Sequence, residues 1–120
     1  MIKINSKVKD IIEDNPVAFA TVDLHGNPNV IGVAYVKVIL PNKIIITDNF
    51  MKQTKENIDS NSNVCLAVWN QDWDGYKLIG QAEYFTDGKW KDFIEQMPEN
   101  KGLPAKGAIL ITVSKIIKLG

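Results

Sequence analysis

Short apolar runs rich in β-branched residues recur along this chain of 120 residues, and turn-forming residues separate one run from the next. Such runs predict β-strands, because β-branched side chains pack well on a pleated sheet while Gly, Pro, Asn and Asp favour turns. With short helices between them, they favour a mainly β fold, a six-stranded antiparallel barrel with helical covers. The predicted strands are residues 17–23, 29–40, 43–48, 64–69, 76–85 and 108–117.

Three stretches between the strands predict short helices. Ser6 can cap a helix over residues 7–14, and a second helix begins after Asp48 and ends near residues 60–63. A third helix is predicted over residues 89–97, where apolar residues spaced three, four and seven apart indicate core packing and not a cofactor site. We expect a chain of this length to form one domain over residues 1–120.

The charge composition narrows the possible ligands. Fourteen basic residues balance fourteen acidic ones, so no broad electrostatic surface for nucleic acid is expected. All the basic residues are lysines, and without a guanidinium fork an anion must be held by ammonium groups, hydroxyls and backbone amides.

Side chains for nucleophilic catalysis or metal binding are scarce. The single histidine, His25, lies in a predicted turn, and the single cysteine, Cys65, lies in an apolar run that suits packing better than reactivity. We therefore expect no catalytic side chain and no metal site, so that any redox chemistry needs a bound cofactor. The lone cysteine and the absence of an apolar leader or span predict a cytoplasmic protein that is not inserted in a membrane.

A strand end, a polar loop and a helix start follow one another within residues 48–58. The first turn of a helix has backbone N–H groups without partners, and its dipole favours an anion. Lys52, Gln53 and Thr54 lie at this point and could add a charge and hydrogen bonds to a phosphate. The alternative is an ordinary solvated helix start, with Lys52 paired to Glu56 and Lys55 paired to Asp59 at four-residue spacing.

Gly32 lies in the middle of the second predicted strand. A glycine at such a position indicates a bulge or bend of the barrel, or a place where a ligand approaches the backbone closely. The sequence leaves both readings open.

The ordered set of residues 26–30, 36–38, 45–58, 64–69 and 108–113 resembles the FMN-binding split-barrel family, the pyridoxamine 5'-phosphate oxidase-like group. The short FMN-binding members of that group are the most similar in size. The resemblance implies a homodimer with FMN at the subunit interface.

By this resemblance, Lys52, Gln53 and Thr54 hold the phosphate and the flavin ring lies along the second strand. Relatives commonly have a lysine-threonine pair where this chain has Gln53 and Thr54, so Lys52 is expected to carry the charge instead. Trp69, Trp73 or Leu119 of the partner chain could contact the ring. The implied cofactor-binding residues are Asn29, Val30, Ile31, Gly32, Val33, Asp48, Asn49, Met51, Lys52, Gln53 and Thr54.

The resemblance further implies an oxidoreductase, such as a flavin reductase or electron carrier supplied by NAD(P)H or a protein partner. One alternative is a non-catalytic carrier or sensor of flavin, and another is a related barrel that uses deazaflavin or haem. Pyridoxamine 5'-phosphate oxidase activity itself is not expected, because the chain is shorter than those enzymes and has no arginine to grip their substrate.

Overall fold

The computed structural model describes residues 2–119, which form an antiparallel sheet, three α-helices and one short 3₁₀ turn. The sheet accounts for most of the regular structure, so the mainly β class with short helices is confirmed. The elements, in chain order, are α1 (Ser6–Asp14), β1 (Val17–Val22), β2 (Pro28–Val33), β3 (Val36–Leu40), β4 (Lys43–Asp48), α2 (Gln53–Ser60), β5 (Asn63–Trp69), β6 (Gly75–Phe85), α3 (Gly88–Glu95), the 3₁₀ turn Pro98–Asn100 and β7 (Gly107–Lys118).

The sheet has seven strands, so the prediction of six was wrong. The predicted strand over residues 29–40 is two strands, β2 and β3, which Ala34 and Tyr35 separate. β2 pairs with β1, whereas β3 pairs with β4. The apolar pattern continues through Ala34 and Tyr35, so the sequence gives no sign that the strand ends there. The strand ends because the chain changes its pairing partner, which a local sequence pattern does not reveal.

All neighbouring strands are antiparallel, and the order across the sheet is β2-β1-β5-β6-β7-β4-β3. The two edge strands, β2 and β3, are therefore consecutive in the chain. Because only Ala34 and Tyr35 join them, the sheet must curl until its two edges meet at that point. The edges are not hydrogen-bonded to each other in the described residues, and the result is a half-barrel and not a closed one.

The main core lies inside the curled sheet, where Phe19, Ile44 and Leu66 are almost completely buried. α1 contributes its buried residues Val8, Ile11 and Ile12 to this core. The helix begins one residue earlier than predicted, because the Asn5 side chain accepts a hydrogen bond from the Val8 N–H at 2.9 Å and so takes the capping role expected of Ser6.

A smaller cluster lies outside the main core. Ile94 of α3 and the following Met97 pack with Ile45 and Ala108, as the spacing in this stretch predicted, and Trp90 packs partly buried against them. Phe93, predicted on the same apolar stripe, is instead 40% exposed. The segment from α3 to β7 is thereby held against β4 and β7, beside the end of β4 where the polar loop begins.

Candidate functional site

A cleft of about 440 Å³ lies between β2, the loop that leads into α2, and the segment before β7. Nine of the eleven predicted site residues line it, although they come from two separate parts of the chain. They are Asn29, Ile31, Gly32, Val33, Asn49, Met51, Lys52, Gln53 and Thr54.

The other two predicted residues lie elsewhere. Val30 is 64% exposed on the opposite side of β2, because successive side chains of a strand point to opposite faces. Asp48 is fully buried beneath the loop and does not line the cleft.

Six residues that the sequence did not indicate complete the lining. Thr47 and Phe50 adjoin the predicted stretch, and Ala34 and Tyr35 form the connection between β2 and β3. Asn100 and Leu103 come from the segment before β7, about fifty residues further along the chain. No local pattern could have placed that segment at the cleft. The six residues are Ala34, Tyr35, Thr47, Phe50, Asn100 and Leu103.

The N-terminus of α2 opens into the cleft at Lys52, the capping position. Lys52 has a non-helical backbone (φ −129°, ψ −68°), and its side chain makes no capping hydrogen bond. The expected pair with Glu56 is not among the ion pairs of residues 2–119, whereas Lys55 pairs with Asp59 at 2.8 Å. The Lys52 ammonium and the first-turn N–H groups are therefore available to an anion.

Thr54 and Asn29 join the two halves of the site. The Asn29 side-chain amide donates to the Thr54 hydroxyl oxygen at 3.3 Å. A hydroxyl that accepts a hydrogen bond still has its own hydrogen to donate. Thr54 thus ties α2 to β2. The residue is only 1% exposed but, unlike Asp48, it lines the cleft, where its hydroxyl keeps a hydrogen to donate.

Gln53 lines the cleft, but its amide is anchored to its own helix. Its Nε2 donates to the Asn57 Oδ1 at 2.7 Å, and the Asn57 Nδ2 donates to the buried Thr21 hydroxyl at 2.9 Å. This chain of hydrogen bonds fixes the first turn of α2 to β1.

Gly32 occupies a regular position in β2. It pairs with Ala18 in an unbroken register, its φ is not in the left-handed region, and a Cβ added there would meet no atom within 4 Å. The described residues therefore give no bulge and no close packing that would require a glycine. Gly32 shares a face of β2 with Val30, so that open space lies on the side away from Ile31 and Val33. The approach of a ligand to Gly32 stays a prediction.

Asp48 organises the loop from beneath. Its Oδ1 accepts a hydrogen bond from the Met51 N–H at 2.8 Å, and its Oδ2 accepts one from the Tyr84 hydroxyl at 2.6 Å. The Lys106 ammonium lies 3.8 Å from Oδ1. Burial, with the hydrogen bond and charge of Asp48, raises the pKa of Tyr84 above its usual range.

Asn100 fastens the far wall of the cleft. Its buried amide donates to the Thr47 hydroxyl at 2.8 Å and to the Ile94 carbonyl at 2.9 Å. The Asn49 amide in turn donates to the Asn100 Oδ1 at 3.2 Å and to the Pro104 carbonyl at 2.6 Å. These bonds hold residues 98–106 beside the loop that precedes α2.

A second groove, of about 390 Å³, lies on the other side of β2 and shares Ile31 and Gly32 with the cleft. Its wall includes Val30 and Trp69, and Trp69 stacks on Trp73 with ring centroids 6.2 Å apart. Trp73 is 76% exposed. The two tryptophans thus lie outside the cleft of their own chain.

Metal-binding side chains do not converge within residues 2–119: no three His, Cys, Asp or Glu side chains group as a metal site requires. Burial raises the pKa of the Cys65 thiol, which keeps it in the unreactive protonated form. No helix in the described part of the chain is long and apolar enough to cross a membrane.

Comparison with known proteins shows the family to which this chain belongs. The family model for pyridoxamine 5'-phosphate oxidase matches residues 4–120. An uncharacterized protein of Methanocaldococcus jannaschii is 31% identical over 123 residues, which cover 99% of this chain and 83% of that protein. The chain therefore belongs to the pyridoxamine 5'-phosphate oxidase-like family, as the resemblance predicted.

Solved structures share the whole fold. HupZ of Group A Streptococcus superposes with a TM-score of 0.89 at 28% identity, over 97% of this chain and 94% of HupZ. An FMN-binding protein from Syntrophomonas wolfei superposes with a TM-score of 0.81 at 18% identity, over 95% of this chain and 84% of that one. The second likeness concerns the fold alone.

The raised pKa of Tyr84 predicts a pH dependence of stability. The folded state holds the phenolic proton more tightly than the unfolded state, whose tyrosine pKa is about 10. This stabilisation is complete below about pH 10 and is lost as the pH rises through the folded pKa. We expect the free energy of unfolding, measured with urea at a series of alkaline pH values, to decline less steeply in Tyr84→Phe than in the unmodified protein.

Tyr76→Phe is the matched control, because Tyr76 lies on the same strand and its hydroxyl makes no hydrogen bond in the described residues. It should keep the full decline. Equal slopes for the unmodified protein and Tyr84→Phe would contradict the prediction.

Proposed function

We propose that this protein binds FMN in the cleft, with the phosphate at the N-terminus of α2 and the flavin ring along β2. The observation that carries the proposal is that a single cleft joins the open N-terminus of α2, where Lys52 has no ion-pair partner within residues 2–119, to the face of β2 that carries Asn29, Ile31 and Val33. Membership of the family supports it, and a structural neighbour is an FMN-binding protein.

The donor set fits a phosphate monoester. Lys52, Gln53 and Thr54, which form the start of α2, all line the cleft, and they offer first-turn N–H groups, the Thr54 hydroxyl and the Lys52 ammonium. A phosphate at a helix N-terminus gains from both the open amides and the helix dipole. Relatives commonly have a lysine where this chain has Gln53, and here Lys52 supplies the positive charge instead.

The other end of the cleft fits a planar ring. Ile31 and Val33 offer apolar surface, and Gly32 lines the cleft between them. Bound FMN would supply the electron or hydride transfer chemistry. The residues of this chain would bind and orient the ring, and the apolar side chains would exclude water from it.

Pyridoxamine 5'-phosphate is an unsuitable substrate for this cleft. Lys52 is the one charged residue among the described residues that line it. With the FMN phosphate at Lys52, the described lining has no second charged side chain to hold the phosphate of a substrate near the ring. We therefore propose an FMN-dependent oxidoreductase, such as a flavin reductase or electron carrier, that acts on a substrate without a phosphate group near the ring.

A non-catalytic flavin carrier or sensor is the second candidate. The observation in its favour is that no His, Cys, Asp or Glu side chain of the described residues lines the cleft. Among the described lining residues, Tyr35 and Lys52 alone carry side chains that could donate a proton.

We also propose a homodimer with FMN at its interface. Val30, Trp69 and Trp73 expose apolar surface on the side of β2 away from the cleft, and the groove there shares Gly32 with the cleft. Exposed apolar patches of this kind commonly mark protein interfaces. A second copy seated there would bring its residues next to a flavin ring on β2.

The visible spectrum of the purified protein and the mass of any ligand released on denaturation test the cofactor. We expect a flavin spectrum, gained or strengthened by added FMN, and a released mass equal to that of FMN. Protein that stays colourless with added FMN would refute the proposal. Release of a deazaflavin or haem would show that the protein uses that cofactor and not FMN. Repeated turnover with NADH or NADPH would favour the oxidoreductase over the carrier.

The double variant Lys52→Ala with Thr54→Ala should weaken FMN binding by roughly 2–4 kcal/mol, through loss of one charge-assisted and one neutral hydrogen bond. Titration of flavin fluorescence measures the affinity. Lys9→Ala with Thr86→Ala, two exposed positions remote from the cleft, is the matched control. Unchanged affinity in the first double variant would place the phosphate elsewhere.

Val30→Asp should convert the proposed dimer to a monomer and lower FMN affinity with it, because a buried unpaired carboxylate opposes association. Sedimentation with and without FMN measures both effects. Leu24→Asp changes a side chain that is similarly exposed, at 70%, but lies in a turn away from the groove, and should leave the dimer intact. A flavin-loaded monomer of the unmodified protein would contradict the interface.

A further inference from the structure

We propose that Asp48, Tyr84 and Lys106, here called the Asp48 cluster, are positioning residues that hold the loop before α2 in the shape a phosphate requires. This inference rests on the proposed FMN site. It assigns to Asp48 a role beneath the site in place of the direct cofactor contact that the family resemblance implied.

The Asp48 carboxylate is too deeply buried to contact a ligand, since its residue has no exposed surface. Both of its oxygens are occupied, Oδ1 by the Met51 N–H at 2.8 Å and Oδ2 by the Tyr84 hydroxyl at 2.6 Å. A carboxylate that is removed from water needs such partners, and charge-assisted hydrogen bonds of this kind are strong and directional. The loop conformation is therefore coupled to the position of this one side chain.

Lys106 completes the hold on the loop. Its ammonium donates to the Met51 carbonyl at 2.5 Å and lies 3.8 Å from the Asp48 Oδ1. Its own backbone N–H donates to the Asp48 carbonyl at 2.8 Å. The N–H and the carbonyl of Met51 are thus both held, immediately before Lys52 at the start of α2.

The charges within the cluster also suit an anion site. The positive charge of Lys106 lies beside the negative charge of Asp48, so the buried carboxylate is not left uncompensated behind the site. An uncompensated carboxylate beneath the loop that leads into α2 would oppose the binding of a phosphate. The pairing leaves the charge of Lys52 free for the ligand.

Gly107 shows that the packing is built around Tyr84. It lies opposite Asp48 in the β4-β7 pairing, and a Cβ added to it would overlap the ring and hydroxyl of Tyr84. Gly107 has no positive φ, so its lack of a side chain is explained by the space that Tyr84 occupies. A side chain introduced at position 107 would therefore displace Tyr84 without any substitution in the Asp48 cluster itself.

The experiment compares the affinities for FMN and for riboflavin, which lacks the phosphate, in the full-length protein by fluorescence titration. In Tyr84→Phe we expect FMN to bind about tenfold more weakly, the equivalent of one hydrogen bond to a charged group, while riboflavin changes by less than about twofold. The ³¹P resonance of bound FMN should also shift, because the phosphate loses its fixed surroundings. Tyr76→Phe, on the same strand, should alter neither affinity.

Gly107→Ala is the independent variant, because it acts on Tyr84 by contact alone. It should lower the preference for FMN over riboflavin in the same direction. An equal loss of both affinities, or a preference for FMN that survives in both variants, would overturn the role of the cluster while leaving the FMN site in place. An unmodified protein that binds FMN no better than riboflavin would refute the proposed phosphate site, and the positioning role with it.

Discussion

The connection of two residues between β2 and β3 is the constraint on which the rest of the structure depends. β2 and β3 are the two edges of a seven-stranded sheet, yet Ala34 and Tyr35 alone join them. The sheet has to curl to bring its edges together, and the curl encloses the core around Phe19. Away from this connection the two edge strands stay apart. The cleft lies along β2, next to the connection. Core and cleft therefore follow from the same short connection.

The sequence predicted what is encoded locally. Five of the predicted strands correspond to β1 and β4–β7, since their β-branched runs end at clear turn residues. The division between β2 and β3 was missed, because Ala34 and Tyr35 continue the apolar pattern of the two strands that they separate, and those strands differ in pairing partner. A change of partner is a tertiary event, and side-chain periodicity does not report it.

The same distinction applies to the site. Lys52, Gln53 and Thr54 were predicted from the chemistry of a helix start, whereas Asn49, Met51 and the β2 residues were added through the family resemblance. Of these, all but Val30 line the cleft. Asn100 was missed because its amide reaches Thr47 across fifty-three residues of chain. Asp48 was expected at the cofactor, but the structure buries it. A carboxylate at the end of a strand can point toward solvent or toward the protein interior. The hydrogen bond from the Tyr84 hydroxyl shows that Asp48 points toward the interior, and the sequence does not reveal this contact.

Gly32 belongs to two surfaces at once, the cleft on one side of β2 and the groove on the other. With a flavin in the first and a second subunit in the second, cofactor binding and assembly would be thermodynamically linked. The factor by which the flavin tightens the dimer would equal the factor by which the dimer tightens the flavin. At low protein concentration such a protein would lose its cofactor by dissociating, so that its concentration, and not only the supply of flavin, would set the occupied fraction.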